Sequence, residues 1–203
     1  MNVFKASQEG IQERSTSYLN MPYLGSATID SVELKEINKT EDCFVVSFTV
    51  HDTDVRGNSV RGYNHERVEW APDENTDKEK VKKAVDRVAY FVTKFFPEEK
   101  QSEILSIEGD SWRDYCLKMI QYLNNTTYIG KQVNIKVVGS VYEGKPSIST
   151  PKYPGWIYVD DQLPSFSKKE MISNSEYIAA LSSAPTNTDV VNSELVNIDE
   201  SVF

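Results

Sequence analysis

Cationic and aromatic side chains alternate in two segments of the chain. The first segment carries Arg56, Arg61 and Arg67 interleaved with Tyr63 and Trp70. Lysine and arginine neutralise phosphates, and aromatic rings stack on nucleic-acid bases, with each stack contributing roughly 1–3 kcal/mol. Arg61, Tyr63 and Arg67 share parity, so on a regular strand they would face one way. This mixture on one strand face is typical of surfaces that bind single-stranded nucleic acid without reading its sequence.

The second segment repeats the mixture nearer the C-terminus. It contains Lys131, Lys136, Tyr142, Lys145, Lys152, Tyr153 and Trp156. The seven residues extend the prediction to phosphate contacts by the lysines and base stacking by the aromatic residues. For both segments a structural alternative remains open, in which the arginines lie on a solvated strand face and the tryptophans pack in or beside the core.

A run of lysines at Lys78, Lys80, Lys82 and Lys83 is interpreted more simply. It opens a segment with apolar residues at helical spacing, so it predicts the solvated face of an amphipathic helix.

Enzyme chemistry has weaker support in the sequence. His51, Asp52 and Asp54, completed by Glu66 or Glu69, could form an oxygen-rich Mg²⁺ site of a nuclease. Carboxylates are also common in turns, where they accept hydrogen bonds from their own backbone, and this is the favoured interpretation. Phosphate-binding loops, dinucleotide fingerprints and metal-finger spacings do not occur in the sequence. We therefore expect a protein that is not an enzyme and needs no cofactor.

The charge of the chain is unevenly distributed. Its 203 residues include 31 acidic and 22 basic ones, for a net charge of -9. No lysine or arginine follows Lys169, whereas six acidic residues do, which leaves the body at only about -3. No apolar run reaches the roughly 18 residues of a membrane helix, and the N-terminus lacks the apolar stretch of a signal peptide. The sequence predicts a cytoplasmic protein without a membrane partner.

Hydrophobic patterning divides the chain into an arm, a domain and a tail. Residues 1–24 are expected to form an N-terminal arm, 25–165 a folded domain, and 166–203 a mostly disordered acidic tail, with a short helix near 176–181 left open. Alternating and β-branched residues predict three antiparallel strands before Pro72 and a hairpin within 132–150. Two amphipathic helices, after Asp77 and from Ser111, fall within an insert at about 73–125.

Three strands, a helical insert and a hairpin give the connectivity of an oligonucleotide-binding fold (OB-fold) barrel. The predicted fold class is mainly β, a five-stranded OB-fold-like barrel with a helical insertion between strands 3 and 4. A small SH3-like barrel or an α+β sandwich fits less well, because neither explains helices at that one position.

The C-terminal tip adds a family resemblance to this layout. Asp199 and Glu200 precede Val202 and the terminal Phe203, at the end of a segment without basic residues. An OB-fold body with such a tip resembles the single-stranded-DNA-binding proteins of bacteria and bacteriophages. The resemblance implies non-catalytic binding and protection of single-stranded DNA during replication, recombination and repair. It also implies recruitment of partner proteins by the tip, and the chain could form a homo-oligomer.

Other interpretations of the tip and of the body remain open. The tip could be an ordinary disordered end, or a C-terminal ligand recognised by strand addition. The body could be a viral accessory factor whose barrel binds protein rather than DNA.

Overall fold

The computed structural model describes residues 18–53, 59–73, 75–151, 155–159 and 165–183, without the side chains of 52, 53 and 59–61. The strands are β1 (Tyr23–Ile37), β2 (Thr40–Thr53), β3 (Ser59–Glu69), β4 (Gln132–Tyr142), β5 (Lys145–Ser149) and β6 (Ile157–Tyr158). The helices are α1 (Lys78–Thr93), α2 (Glu98–Leu105), α3 (Trp112–Leu123) and α4 (Lys168–Ser183).

The strands form one antiparallel sheet in the order β3-β2-β1-β4-β5, with β6 added beside β4. Two tight turns connect its hairpins. Asn38 and Lys39 between β1 and β2, and Glu143 and Gly144 between β4 and β5, all have positive φ. Two consecutive left-handed residues match the right-handed twist of the strands that they join.

The mainly β class is confirmed, and the described strands form an open sheet in which the predicted five-stranded OB-fold-like barrel is not seen. Among the described residues, no backbone pairing joins β3 to β5, and a sixth strand lies beside β4. The edge of β3 is instead contacted at two points. Leu19 donates its backbone N–H to the oxygen of Asn64 at 3.0 Å, and the Arg67 side chain bonds to the segment after β5. This edge of the sheet therefore has one backbone hydrogen bond from Leu19 and the side-chain hydrogen bonds of Arg67, with no described strand ladder to β5.

Three helices lie between β3 and β4, where the sequence predicted a helical insert. Asp77 caps α1 by accepting a hydrogen bond from the Glu79 N–H at 2.7 Å, and Ser111 caps α3. The short α2 follows Pro97. Its addition converts the two predicted helices into three.

Helix α1 covers one face of the sheet and completes the core. The Phe91 ring meets that of Phe44 edge-on at 6.2 Å and stacks on Trp156 at 5.8 Å. Trp156 in turn stacks on Phe48 of β2 at 5.9 Å. These contacts bury α1, β2 and the segment before β6 against one another.

Helix α4 lies within the region that the sequence assigned to a disordered tail from residue 166. The Asn174 Oδ1 accepts from the Gly139 N–H at 2.8 Å, and Ser173 donates to the Gly139 oxygen at 2.7 Å. Gly139 lies just beyond the point where β1 stops pairing with β4. The helix thus satisfies a strand edge that has lost its neighbour, so the ordered domain extends to Ser183. Residues 184–203 lie outside the described residues.

Candidate functional site

A cleft of about 760 Å³ opens between the end of β3, helix α1 and the segment after β5. Its volume lies within the range of ligand sites in proteins. Arg67, Glu69 and Trp70 line it from β3 and the residue that follows, and Lys80, Lys83 and Arg87 line it from α1. It occupies the gap that a closed barrel would fill with a β3–β5 ladder.

A buried carboxylate joins two arginines at the base of this cleft. The Arg67 Nε donates to Glu69 Oε1 at 3.0 Å, and its Nη2 contacts the same oxygen. The Arg87 Nε donates to Glu69 Oε2 at 2.7 Å. A buried carboxylate needs such partners because its charge is costly to remove from water. With two guanidinium groups on one carboxylate, the cluster keeps one net positive charge.

Arg67 also links the two open edges of the sheet. Its Nη1 donates to the Thr150 backbone oxygen at 3.0 Å, the Thr150 Oγ1 at 2.7 Å and the Pro151 oxygen at 3.1 Å. The guanidinium carbon lies 5.3 Å from the centre of the Trp156 ring. Each nitrogen of Arg67 is therefore engaged within the protein, and the residue is structural in this conformation.

The α1 cations lie along one stripe of the helix. Lys80, Lys83 and Arg87 are separated by three and four residues, a spacing that places side chains on one helix face. Lys83 forms an ion pair with Glu79, whereas Lys80 is exposed and forms no ion pair with any described residue. Lys82 does not line the cleft and forms an ion pair with Asp86. One face of α1 thus supplies three cations to the cleft.

The cleft carries a net positive charge. Besides its four cationic side chains, the described lining includes two carboxylates, those of Glu66 and Glu69. Two partners outside the lining offset one charge of each sign, since Lys35 donates to Glu66 at 3.0 Å and Glu79 pairs with Lys83. The low-dielectric walls of a cleft strengthen the electric field of the charges that line it, so this cleft attracts anions.

Trp70 provides an aromatic surface at the rim. Its side chain is 47% exposed and follows directly after the last residue of β3. A large exposed ring beside a cationic cleft combines an apolar stacking face with phosphate-neutralising groups.

Of the residues that the sequence proposed for nucleic-acid contact, the structure brings Arg67 and Trp70 to this cleft. Tyr142 and Lys145 lie exposed at the tip of the β4–β5 hairpin. The tip is about 10 Å from the cleft, because Ile148, three residues after Lys145 on β5, already lines it. Lys131 places its Nζ 5.6 Å from the centre of the Phe95 ring. These residues do not form a single surface with the cleft.

Burial corrects three of the proposed contacts. Trp156 is 3% exposed between Phe48 and Phe91. The buried Lys136 pairs with Glu170 of α4 at 3.1 Å. Arg67 is saturated by the bonds described above. None of the three is available to a strand of nucleic acid in this structure, because each has a partner inside the protein.

Tyr63 and Arg67 lie on the same face of β3, as predicted, but this face packs on the core instead of facing solvent. Tyr63 and Arg67 lie opposite Val50 and Val46 of β2, on the side that packs on the core. Tyr63 is partly buried there rather than presented on a polar surface. The side chain of Arg61 lies outside the described part of the chain, as do residues Arg56, Lys152, Tyr153, Asp199, Glu200, Val202 and Phe203.

His65 shares that inner face and has an unusual environment. Its ring lies 5.3 Å from that of Phe48, and its Nε2 has no hydrogen-bond partner among the described residues. Burial lowers the pKa of His65 from 6.5 to about 4, although the neighbouring Glu66 carboxylate acts in the opposite direction. The residue is therefore neutral at physiological pH and adds no charge to the sheet.

The cluster on α1 is the part of the site that the sequence analysis missed. Lys80 and Lys83 were assigned to a solvated helix face, and Arg87 was not singled out. Their spacing was the available signal, since residues 80, 83 and 87 form one helical stripe next to the buried Ala84 and Val88.

No protein-family model matches this chain. No curated protein matches its sequence either.

The described residues contain no group of three or more histidine, cysteine, aspartate or glutamate side chains that could hold a metal ion. His51, one member of the proposed metal site, shares a hydrogen bond of 3.0 Å with Thr28. Asp54 lies outside the described residues. Within the described chain, no helix has the length and apolar character needed to cross a membrane.

Proposed function

We propose that this chain binds and protects single-stranded DNA without catalysing a reaction, as a component of DNA replication or recombination. The observation that carries the proposal is the cleft itself, in which an exposed Trp70 borders a net positive cluster from β3 and α1. Binding that tolerates any sequence requires these two elements, a stacking ring and cations that meet phosphates.

The sheet connectivity supports the same proposal. β1 pairs with both β2 and β4, and helices α1 to α3 fall between β3 and β4. This connectivity is compatible with an OB-fold, a five-stranded barrel that is partly open. In this account the chain is an OB-fold opened between β3 and β5, and the strand of DNA enters through the opening.

In the proposed complex, Lys80, Lys83 and Arg87 neutralise phosphates while Trp70 stacks on a base. Arg67 and Glu69 hold the guanidinium of Arg87 in place. Tyr142 and Lys145 at the hairpin tip extend the contacts when the strand is long enough to follow β5. The buried Trp156 does not contact DNA; its ring packs against the guanidinium of Arg67.

The acidic tail supplies the regulatory part of the proposal. After Lys169 the sequence contains acidic but no basic residues. We assign to its tip, Asp199 to Phe203, the recruitment of replication or recombination proteins. Its carboxylates compete with DNA phosphates for the cationic cleft, so bound DNA releases the tip to partners.

The direct test is a titration with a thymidine oligonucleotide of about 30 nucleotides, long enough to span several subsites. Tryptophan fluorescence is followed at two salt concentrations. We expect quenching and an affinity that falls as salt rises, since bound cations release counterions from DNA. Trp70→Phe should abolish most of the quenching, whereas Trp112→Phe should not, because Trp112 donates to Asp42 away from the cleft. Absence of binding at low salt by the chain without its tip would overturn the proposal.

One observation favours a second candidate, a domain that binds protein. Helix α4 exposes four large apolar side chains, those of Met171, Ile172, Ile178 and Leu181. Exposed apolar groups on one element are typical of surfaces that contact a partner. This candidate predicts no salt-dependent affinity for DNA.

A further inference from the structure

The guanidinium of Arg87 is only partly used by the protein. Its Nε donates to Glu69 Oε2, and no other hydrogen bond joins it to a described residue. The only buried side-chain nitrogen or oxygen without a partner in the described chain is Nε2 of His65. The two terminal nitrogens of Arg87 are therefore not fully buried, in a side chain that is 16% exposed.

This arrangement presents a preorganised fork to the cleft. Glu69 fixes one edge of the guanidinium, and the remaining N–H groups keep the planar geometry that binds two oxygens of one oxoanion. The position of Arg87 is set by α1, whose neighbouring Val88 is fully buried. A held arginine with unused donors is suited to a phosphate or carboxylate group.

The other cations that α1 contributes to the cleft lie on the same helix face as Arg87. Lys80 and Arg87 are seven residues apart, a rise of about 10 Å along the helix, with Lys83 between them. Elsewhere in the described domain, Lys131 lies over Phe95 and Lys136 is buried against Glu170. The cations of α1 that line the cleft, Lys80, Lys83 and Arg87, therefore form a local group on one helix face.

A local group of cations suits a terminal phosphate better than the phosphodiesters inside a strand. An internal phosphodiester carries one negative charge, whereas a terminal phosphate monoester carries about -1.5 to -2 at neutral pH and offers three terminal oxygens. We propose that the cleft binds the terminal phosphate of a single strand, with the Arg87 fork and Lys80 as its main ligands and Trp70 stacked on the adjoining base. This inference rests on the proposed function and specifies its ligand as a phosphorylated strand end.

The test compares thymidine oligonucleotides of about 12 nucleotides, within the site size of one OB-fold. One carries a 5′-phosphate, one a 3′-phosphate and one neither. Fluorescence anisotropy with the full chain at moderate salt should show one phosphorylated form binding about tenfold more tightly than the unmodified one. Equal affinity for all three overturns the inference but leaves the proposed function intact. Absence of binding to any of them overturns both.

Substitutions test whether Arg87 and Lys80 cause the tighter binding of the phosphorylated oligonucleotide. Arg87→Gln and Lys80→Gln should each remove most of the preference, because each should weaken binding of the phosphorylated oligonucleotide more than binding of the unmodified one. Lys80 is exposed, so its replacement does not disturb the core. Lys82→Gln is the matched control because Lys82 pairs with Asp86 outside the cleft. A preference that survives both cleft variants contradicts the assignment.

A mononucleotide distinguishes a strand end from a free nucleotide. Thymidine 5′-monophosphate should compete for the cleft only weakly, since it lacks the contacts of the adjoining strand. Competition as strong as that of the phosphorylated oligonucleotide would show that the site takes free nucleotides, and would overturn the strand-end inference.

Discussion

The Arg67 Nη1 lies 3.0 Å from the backbone oxygen of Thr150, and this bond joins two edges of the sheet that no described backbone pair connects. The two residues are 83 positions apart in the chain. The same guanidinium holds Glu69, which holds Arg87. One side chain thus couples closure of the sheet to the geometry of the cationic cleft.

Replacing Arg67 by Gln should therefore lower the free energy of unfolding by about 3 kcal/mol, the cost of breaking a buried ion pair. Urea denaturation monitored by circular dichroism measures the change. Arg113→Gln is the matched control, because Arg113 pairs with Asp42 at the exposed surface and should cost less than about 1 kcal/mol. Equal losses in both variants would contradict the structural role of Arg67.

His65 should make stability depend on pH below neutrality. Burial lowers its pKa from 6.5 to about 4 in the folded protein. The unfolded chain then binds a proton as pH falls below 6.5, while the folded one does not until about 4. Its stabilising contribution is complete above pH 6.5 and is lost across that window, by about 3 kcal/mol in total.

The measurement compares urea denaturation of the wild type and His65→Leu at pH 7 and near pH 4.5. Carboxylates, including the adjacent Glu66, also titrate in this range, so the difference between the two proteins isolates the histidine. We expect the variant to lose less stability on acidification than the wild type. Parallel losses would place the His65 ring in a more solvated environment.

Gly139 is the position where β4 and α4 approach most closely. A Cβ at this position would lie 2.6 Å from the Cβ and Cγ of Tyr177, closer than atoms can pack. Gly139→Ala should displace α4 and destabilise the domain by about 1–3 kcal/mol. Limited proteolysis within 165–183 and urea denaturation detect this. Ser140→Ala, on the adjacent and partly exposed position of β4, should leave both unchanged.

The sequence predicted the elements that rest on apolar periodicity. Helix α1 begins after Asp77, as predicted, and buries Val88, Phe91 and Val92 at helical spacing. Within α4 the sequence left open only a short helix near 176–181, because Ser173 and Asn174 contact β4 through hydrogen bonds and add no apolar stripe. A helix held by hydrogen bonds to a strand edge has a weak apolar stripe, and its composition suggests disorder.

The candidate site was harder to predict than the fold. Trp70 was identified because it accompanies three arginines in the 56–70 segment. The burial of Arg67 and Lys136 depends on carboxylates whose positions only the tertiary structure fixes, namely Glu69 and the distant Glu170. Arg87 was missed because the sequence does not show that this face of α1 lies beside the end of β3.

Neutralising the tip should strengthen binding to DNA. If Asp199 and Glu200 compete with phosphates for the cleft, the variant Asp199→Asn with Glu200→Gln should bind a thymidine oligonucleotide several-fold more tightly at low salt. The difference should vanish at high salt, where charges separated by more than about 3–8 Å are screened. Ser201→Ala is the control, because it changes a residue of the tip without changing the charge of the tip. An unchanged low-salt affinity would remove self-competition and leave the cleft unaffected.

The salt dependence of binding should report how many cleft cations meet phosphates. For a single strand the logarithm of the affinity falls with the logarithm of the salt concentration with a slope of about -0.7 per phosphate contact. The double variant Lys80→Gln with Lys83→Gln should make the slope less steep by about 1.4 units and weaken binding most at low salt. Lys100→Gln is the control, since Lys100 pairs with Glu103 on α2 and does not line the cleft. A slope that stays constant in the double variant, while affinity falls, would mean that these lysines shape the cleft without contacting phosphates.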